Sequence, residues 1–320
     1  MNGRRSEAQI EIQCYEPTFI QELHAVYQEA VARVPHCYPV DRERFVAALP
    51  APSQAADDAN GNGLRDERVL LARESGQVVG FLHLGVREPM PAPEELERNR
   101  PLRAAGAIRF FWYRRGHRAA GQALLDAAEL FLAEHELSIH QMEAFHYDYT
   151  YPFYHVEHAF LSDRLDHVHA LLGFNGYHRC SSELVLDWPD YSIPDPGRPA
   201  VNVELSRKWT KGSGARPGLV LTAHLRDRQV GVCVCVSLYE VARVVEADDW
   251  VYTRWLGIEE DYQGRGLGRF LLLSALRDLH TVGYRHATIC TFGDNYRAFL
   301  LYSNLGYHVI DWTYAFRKKL

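Results

Sequence analysis

The residues best placed to do chemistry form a glycine-rich run, Gln263-Gly264-Arg265-Gly266-Leu267-Gly268, between two apolar segments. Glycines at that density let a backbone turn tightly and leave several N–H groups unpaired. Where a helix starts at the turn, those groups converge on one spot and hold a phosphate or pyrophosphate. Two common phosphate-binding patterns do not fit. No Lys-Ser or Lys-Thr follows the last glycine, as a P-loop requires, and a dinucleotide fingerprint has one more residue between its second and third glycines. Further on lies a second constellation, Asn295, Ala298, Tyr302, Gly306 and Tyr307. Carboxylates that could accept a proton are Glu240, Glu246, Glu259, Glu260 and Asp294. His155-x-x-His158, followed by Asp163, His167 and His169, has the donor types of a metal site but no usual zinc spacing, so no metal is expected.

These residues need elements to hold them. Trp250 to Ile258 is rich in aromatic and β-branched residues and reads as a strand. Phe270, Leu271, Leu273, Ala275, Leu276 and Leu279 recur at helical spacing behind the glycine run. Arg285 to Thr291 then reads as a strand, Asn295 to Tyr307 as a helix with its stop, and His308 to Arg317 as a closing strand. The same plan occurs earlier. Ala107 to Tyr113 reads as a strand, Arg118-Ala119-Ala120-Gly121-Gln122-Ala123 as a turn, and Leu124 to Leu132 as a helix. The two runs, starting at 118 and 263, mark a domain-sized internal repeat. Before the first copy come a strand at Ile10 to Cys14, a helix through Ile20 to Ala30, a short helix from Asp41 to Leu49 with Asp41 as cap, and a loop over 51–62. Two strands around Glu74-Ser75-Gly76 and a connection carrying Pro89, Pro91, Pro93 and Pro101 follow. After it come a strand at Ile139 to Tyr147, a run of aromatics and histidines that forms either a packing wall or a substrate pocket, a helix at Leu165 to Leu172, and a strand at Ser182 to Leu186.

Residues 189–200, with four prolines, read as a stiff linker between a first domain, 8–188, and a second, 201–320. A strand is expected at Val201 to Trp209 and a hairpin at Leu219 to Leu238, which leaves no room for helices ahead of the hairpin.

The glycine run resembles the Gln/Arg-x-x-Gly-x-Gly/Ala signature of the GNAT acetyltransferase superfamily, and Asn295 to Tyr307 resembles that family's Asn-x-x-Ala-x-x-x-Tyr-x-x-x-Gly-Phe/Tyr motif at every defined position. The resemblance implies an α/β (α+β) fold with two GNAT-type domains in tandem, each a mixed twisted sheet with flanking helices. It implies acetyl-CoA as co-substrate and transfer of an acetyl group to the amine of a small acceptor, the active site lying in the second domain. Backbone N–H groups of Gln263, Gly264, Arg265, Gly266, Leu267, Gly268 and Arg269 would hold the pyrophosphate, and Leu256, Gly257 and Ile258 the pantetheine arm. Asn295 and Arg297 would complete the cofactor site, and Tyr302 would protonate the leaving thiolate as general acid. Glu240 or Glu246 would be the base. The first copy would offer a second CoA site at Arg118, Ala119, Ala120, Gly121, Gln122 and Ala123. Counted back from Gly176-Tyr177, however, it carries Leu165 and Leu172 where the second has Asn295 and Tyr302, so it would be catalytically silent. The other implied reading is a non-catalytic acyl-CoA-binding or regulatory protein. Lost helices in the second copy imply an acceptor groove that is open or walled by the first domain.

Composition bounds these readings. The chain has 320 residues, 47% hydrophobic and 24% charged, with a formal net charge of −6. That is ordinary globular composition, and the acidic balance argues against general nucleic-acid binding. No segment reaches the ~20 apolar residues of a membrane span. The six cysteines form no Cys-x-x-Cys pair, and Cys233 and Cys235, alternating with valines, are expected to face one side of a strand. No secretory signal is read behind Arg4-Arg5. A cytoplasmic protein is expected. Its oligomeric state is left open, the internal pair being compatible with a monomer.

Overall fold

The computed structural model describes residues 9–50, 63–87, 104–157 and 160–320. The loop expected over 51–62, the proline-marked connection at 89–101 and His158 lie outside them. The chain divides into two compact units, residues 1–182 with 313–320, and residues 183–312. The division therefore falls beside Ser182 and again beside Trp312, and the proline-rich stretch 189–200 lies within the second unit.

In unit 1, β1 (Ile10–Cys14), β2 (Leu64–Glu74), β3 (Gln77–Arg87) and β4 (Ala105–Tyr113) pair antiparallel in that order. β5 (Gln141–Ala144) lies parallel to β4, and such a pair needs a crossover, supplied by α3 (Arg118–Ala133). α3 buries Ala120, Leu124, Leu125, Ala128 and Leu132, a stripe at three- and four-residue spacing. α1 (Ile20–Val31) and the short α2 (Arg42–Ala47) precede β2. Asp41 caps α2 as expected, accepting from the Arg44 N–H at 2.8 Å. β6 (Leu161–Ser162), α4 (Asp166–Phe174) and the start of β7 (His178–Trp188) complete the run. β5 is shorter than the strand expected there, because Phe145 turns to φ +58 and residues 147–149 form a 3₁₀ turn. Its other neighbour is the end of the last strand, Phe316 to Lys319.

The aromatic run after β5 is core. Tyr149, Tyr151, Phe153 and Tyr154 are buried, and Tyr27 of α1 lies 5.0 to 5.7 Å from the rings of Phe45, Phe110, Tyr151 and Phe153. Two charged or titratable groups taken inside are paired. His83 bridges the Glu67 carboxylate and the Tyr151 hydroxyl, both at 2.9 Å, and Arg109 donates to the carbonyls of Ala48 and Tyr149.

Unit 2 repeats the scheme. β8 (Glu204–Thr210), β9 (Gly218–Leu225), β10 (Arg228–Ser237) and β11 (Trp250–Ile258) are antiparallel, with the one-turn α5 (Tyr239–Ala242) after β10. α6 (Leu267–Thr281) crosses to β12 (His286–Phe292), parallel to β11, and α7 (Tyr296–Leu305) leads to β13 (His308–Lys319). The outer neighbour of β12 is the second part of β7, from Glu183 to Trp188. Under α6, Leu271, Leu272, Ala275, Leu276 and Leu279 pack with Leu219, Leu221, Cys233, Cys235, Val251, Ala287 and Ile289. Cys233 and Cys235 face that core together, their sulfurs 3.6 Å apart. Among the described residues no helix lies between β8 and β9, and none is long and apolar enough to cross a membrane.

Gly121 sits inside α3, where a Cβ would come within 2.5 Å of the Tyr113 ring on β4. Gly121→Ala gains helix propensity but forces that buried ring aside. It should lower the stability of unit 1 by about 1–2 kcal/mol, read as an earlier urea midpoint of the α3 signal. An unchanged midpoint would show that the ring yields freely.

Candidate functional site

The site is built by the way β11 and β12 part. Their parallel register runs from Trp250↔His286 to Thr253↔Ile289 and stops, although both strands continue. Beyond it, Leu256, Gly257 and Ile258 stay paired to Cys233, Val232 and Gly231 of β10. Backbone groups in a strand point alternately to either side, so part of this segment presents N–H and C=O groups to the gap. The strand irregularity falls at Arg254, where the register with β10 shifts at the Val234/Cys235 step, rather than at Gly257. A Cβ on Gly257 would meet the Trp255 indole nitrogen at 2.6 Å.

Residues 259–266, eight in all, connect β11 to α6. Gly264 and Gly266 have φ of +75 and +77, a left-handed conformation that costs other residues about 1–2 kcal/mol. Gly266 is the N-cap of α6 and, having no side chain, makes no cap bond to the helix's first N–H groups. Gln263 donates to the Ile258 carbonyl at 3.0 Å and accepts from Arg297 at 2.7 Å, which ties the turn to α7. Asn295 caps α7, its side-chain oxygen accepting from the Ala298 N–H at 3.2 Å. Arg269 turns away to donate to the Pro196 carbonyl at 2.7 Å.

The result is a cavity of about 310 Å³, lined by Leu256, Ile258, Gln263, Gly264, Gly266, Leu267, Gly268, Arg269, Asn295, Arg297 and Tyr302 with three apolar neighbours. Of the cofactor residues named from sequence, Gly257 and Arg265 are outside that lining. The Arg265 guanidinium instead lies 5.7 Å from the Tyr262 ring centre. Tyr302 is 5% exposed, and burial pushes its hydroxyl well above the usual phenol range, so it carries its proton at neutral pH.

The carboxylates named as bases do not reach the cavity. Glu240 lies in α5 and Glu246 in the 3₁₀ turn Val245–Ala247, between the end of β10 and the start of β11. Antiparallel pairing puts that connection at the Trp250 end of β11, about 20 Å along the strand from Leu256 at 3.3 Å per residue. Glu240 faces Arg254 at 3.7 Å, and Glu259 pairs with Arg228 at 3.0 Å.

In unit 1 the residues read as a second glycine turn are helix. α3 begins at Arg118, so Arg118, Ala119, Ala120, Gly121, Gln122 and Ala123 form its first turns, with Ala120 and Gly121 buried. Residues 114–117, only four, connect β4 to α3, and Gly116 is the one with positive φ, +91. Side chains of the six are used elsewhere: Arg118 lies over the Phe174 ring, and Gln122 exchanges amide hydrogen bonds with Asn175. Leu165 precedes α4 as Asn295 precedes α7, and Leu172 is fully buried. A cavity of about 420 Å³ next to α3 is lined by Arg33, Arg114, Arg115, His117, Arg164 and His167, with five other residues including Glu29. Among the described residues no three His, Cys, Asp or Glu side chains gather as for a metal.

Residues 182–307 match the family model described as the Acetyltransferase (GNAT) family. This part of the chain is a GNAT-family domain. Among solved structures, the chain is similar to a GCN5-related glucosamine N-acetyltransferase region of a fungal multi-domain GH3 β-N-acetylglucosaminidase, at TM-score 0.64 and 12% identity. That match covers 99% of this chain and 39% of the other, so the chain spans well under half of that protein. It is similar to a tandem GNAT protein from the clavulanic acid biosynthesis pathway, at TM-score 0.63 and 14% identity, over 97% and 98% of the two chains. A GCN5-related N-acetyltransferase from Sphaerobacter thermophilus matches at TM-score 0.58 and 14% identity, over 97% and 95%. No curated protein sequence matches. At these identities the likeness is one of fold, and the fold is that of two GNAT domains in tandem, as the repeat implied.

Gly266→Ala tests the turn. Its φ of +77 should cost about 1–2 kcal/mol, read as an earlier urea midpoint of unit 2 with no change in unit 1. An unchanged midpoint would mean that the turn relaxes to ordinary backbone.

Proposed function

We propose that the chain is an acetyl-CoA-dependent N-acetyltransferase acting on the amine of a small molecule, with its active site in unit 2. The observation that carries this reading is the convergence of the glycine turn, the parted strands and Tyr302 on one cavity. The N–H groups at the start of α6, with Gly264 and Gly266, suit a pyrophosphate. Arg297 adds a positive charge beside the turn, and main-chain groups of Leu256 to Ile258 suit an amide-bearing arm lying along the gap. Acetyl-CoA, when bound, supplies an activated acetyl group as a thioester. Tyr302 then holds a proton that sulfur needs as it leaves, and its buried hydroxyl keeps that proton at neutral pH. Unit 1 serves in this reading as a domain without a proton donor, since Leu172 has no proton to give. Its basic cavity lacks the glycine turn, so CoA binding there would rest on side chains rather than on backbone. Amino sugars, aminoglycosides and amino acids are the acceptor classes proposed.

Tyr302→Phe should lower kcat by about 10²-fold or more, with acetyl-CoA affinity by calorimetry unchanged. Thiol release from acetyl-CoA in the presence of an amine panel measures it. Wild-type turnover in the variant would remove Tyr302 from the chemistry, and thiol release from neither chain would favour a binding protein.

A further inference from the structure

The cavity occupies one side of the gap between β11 and β12. Its strand residues Leu256 and Ile258 pack with Leu267, Leu301 and Tyr302, in the core under α6 and α7. A thioester entering the gap from that side leaves the other face of the sheet for an attacking amine. Directly paired residues share a face, and neighbours along a strand alternate. Leu256 pairs with Cys233, which faces the α6 core. Trp255, opposite Val234, and Gly257, opposite Val232, therefore point the other way. On β12, Ala287 and Ile289 face the core, which puts Phe292 on the same outer face as Trp255.

The two parting strands thus each carry an aromatic side chain on the outer face, Trp255 at 62% exposure and Phe292 at 45%. Among the described residues neither ring is stacked on another. The indole leans along β11 toward the open end of the gap, because its nitrogen lies 2.6 Å from where a Cβ on Gly257 would sit. Glycine at 257 is what admits the ring there. An aromatic ring open to water beside a reaction gap is a platform for stacking. Its guest keeps one face in water, so the guest must be apolar on a face and polar around its rim. A pyranose has that build, with C–H groups on its faces and hydroxyls at its edge. An aryl amine would call for a closed slot, and an acyclic amine has no face to stack.

We propose that Trp255 is the acceptor platform and that the acceptor is an amino sugar, its ring stacked on the indole and its amine directed into the gap. The proposal rests on the acetyltransferase reading of the same site and narrows its acceptor classes to one. Trp255 lies outside the cofactor cavity, so it governs acceptor affinity and leaves the cofactor's binding alone.

The test uses the full chain with acetyl-CoA and two amines, glucosamine and the acyclic ethanolamine, read by thiol release. Glucosamine should give the higher kcat/KM by about tenfold or more. Trp255→Ala removes an exposed side chain and should leave the fold intact. In that variant KM for glucosamine should rise about tenfold, with kcat and acetyl-CoA affinity unchanged, and Trp255→Phe should keep most of the affinity. Gly257→Ala, which pushes the ring off the strand, should raise the same KM and add nothing to Trp255→Ala. An unaltered KM for glucosamine in Trp255→Ala, or an equal loss with ethanolamine, overturns this proposal alone. Thiol release with no amine of a wider panel, while acetyl-CoA binds, overturns the acetyltransferase reading. A second readout needs no turnover: glucosamine titrated by calorimetry into the chain saturated with CoA. Binding in the wild type that is lost in Trp255→Ala is expected. Equal heats in the two, or none in the wild type, overturn the platform.

Discussion

The unit 2 site depends on a parallel strand pair that is made for only a few residues. Parallel strands cannot be joined by a hairpin, so the pairing of β11 with β12 forces a crossover, and α6 provides it. The helix must start where β11 ends, which puts unpaired N–H groups beside unpaired strand backbone. Were the two strands zipped to their ends, Leu256 to Ile258 would spend their hydrogen bonds on β12 and nothing would be left for a ligand. Parting after Thr253↔Ile289 opens the sheet at the point the helix start faces. The glycines then allow the turn to close over that opening, and α7 brings Tyr302 to its wall.

Unit 1 shows how little of this survives small changes. It keeps four antiparallel strands, a short parallel pair and a crossover helix. Its connection is four residues against eight, so the helix begins at once and the place of the turn is taken by Arg114, Arg115, Gly116 and His117. Two leucines stand where the other unit has a cap and a phenol. A scaffold of the same pattern thus carries a cavity lined by basic side chains in unit 1 and one built around the glycine turn in unit 2.

Sequence signals are legible where an element and the residues it positions lie close together in the chain. The glycines, Asn295 and Tyr302 lie within 40 residues of one another, each tied to a strand end or helix start that periodicity reveals. Gly121 misled because a glycine in a turn and one pressed against a ring look alike; only the packing of α3 on Tyr113 separates them. The pairing of β7 escapes a local reading for a similar reason. Glu183 to Trp188 reach β12 through antiparallel pairing across about 100 residues, ahead of the proline-rich stretch that reads as a boundary. The membership of residues 313–320 in unit 1 is another long-range pairing that no local pattern encodes.

The most direct test of the account is amide hydrogen exchange on the whole chain with and without acetyl-CoA. The account predicts new protection at residues 256–258 and 264–269, where strand backbone and helix start meet the ligand. Protection confined to residues 114–121, with 256–269 unchanged, would contradict it.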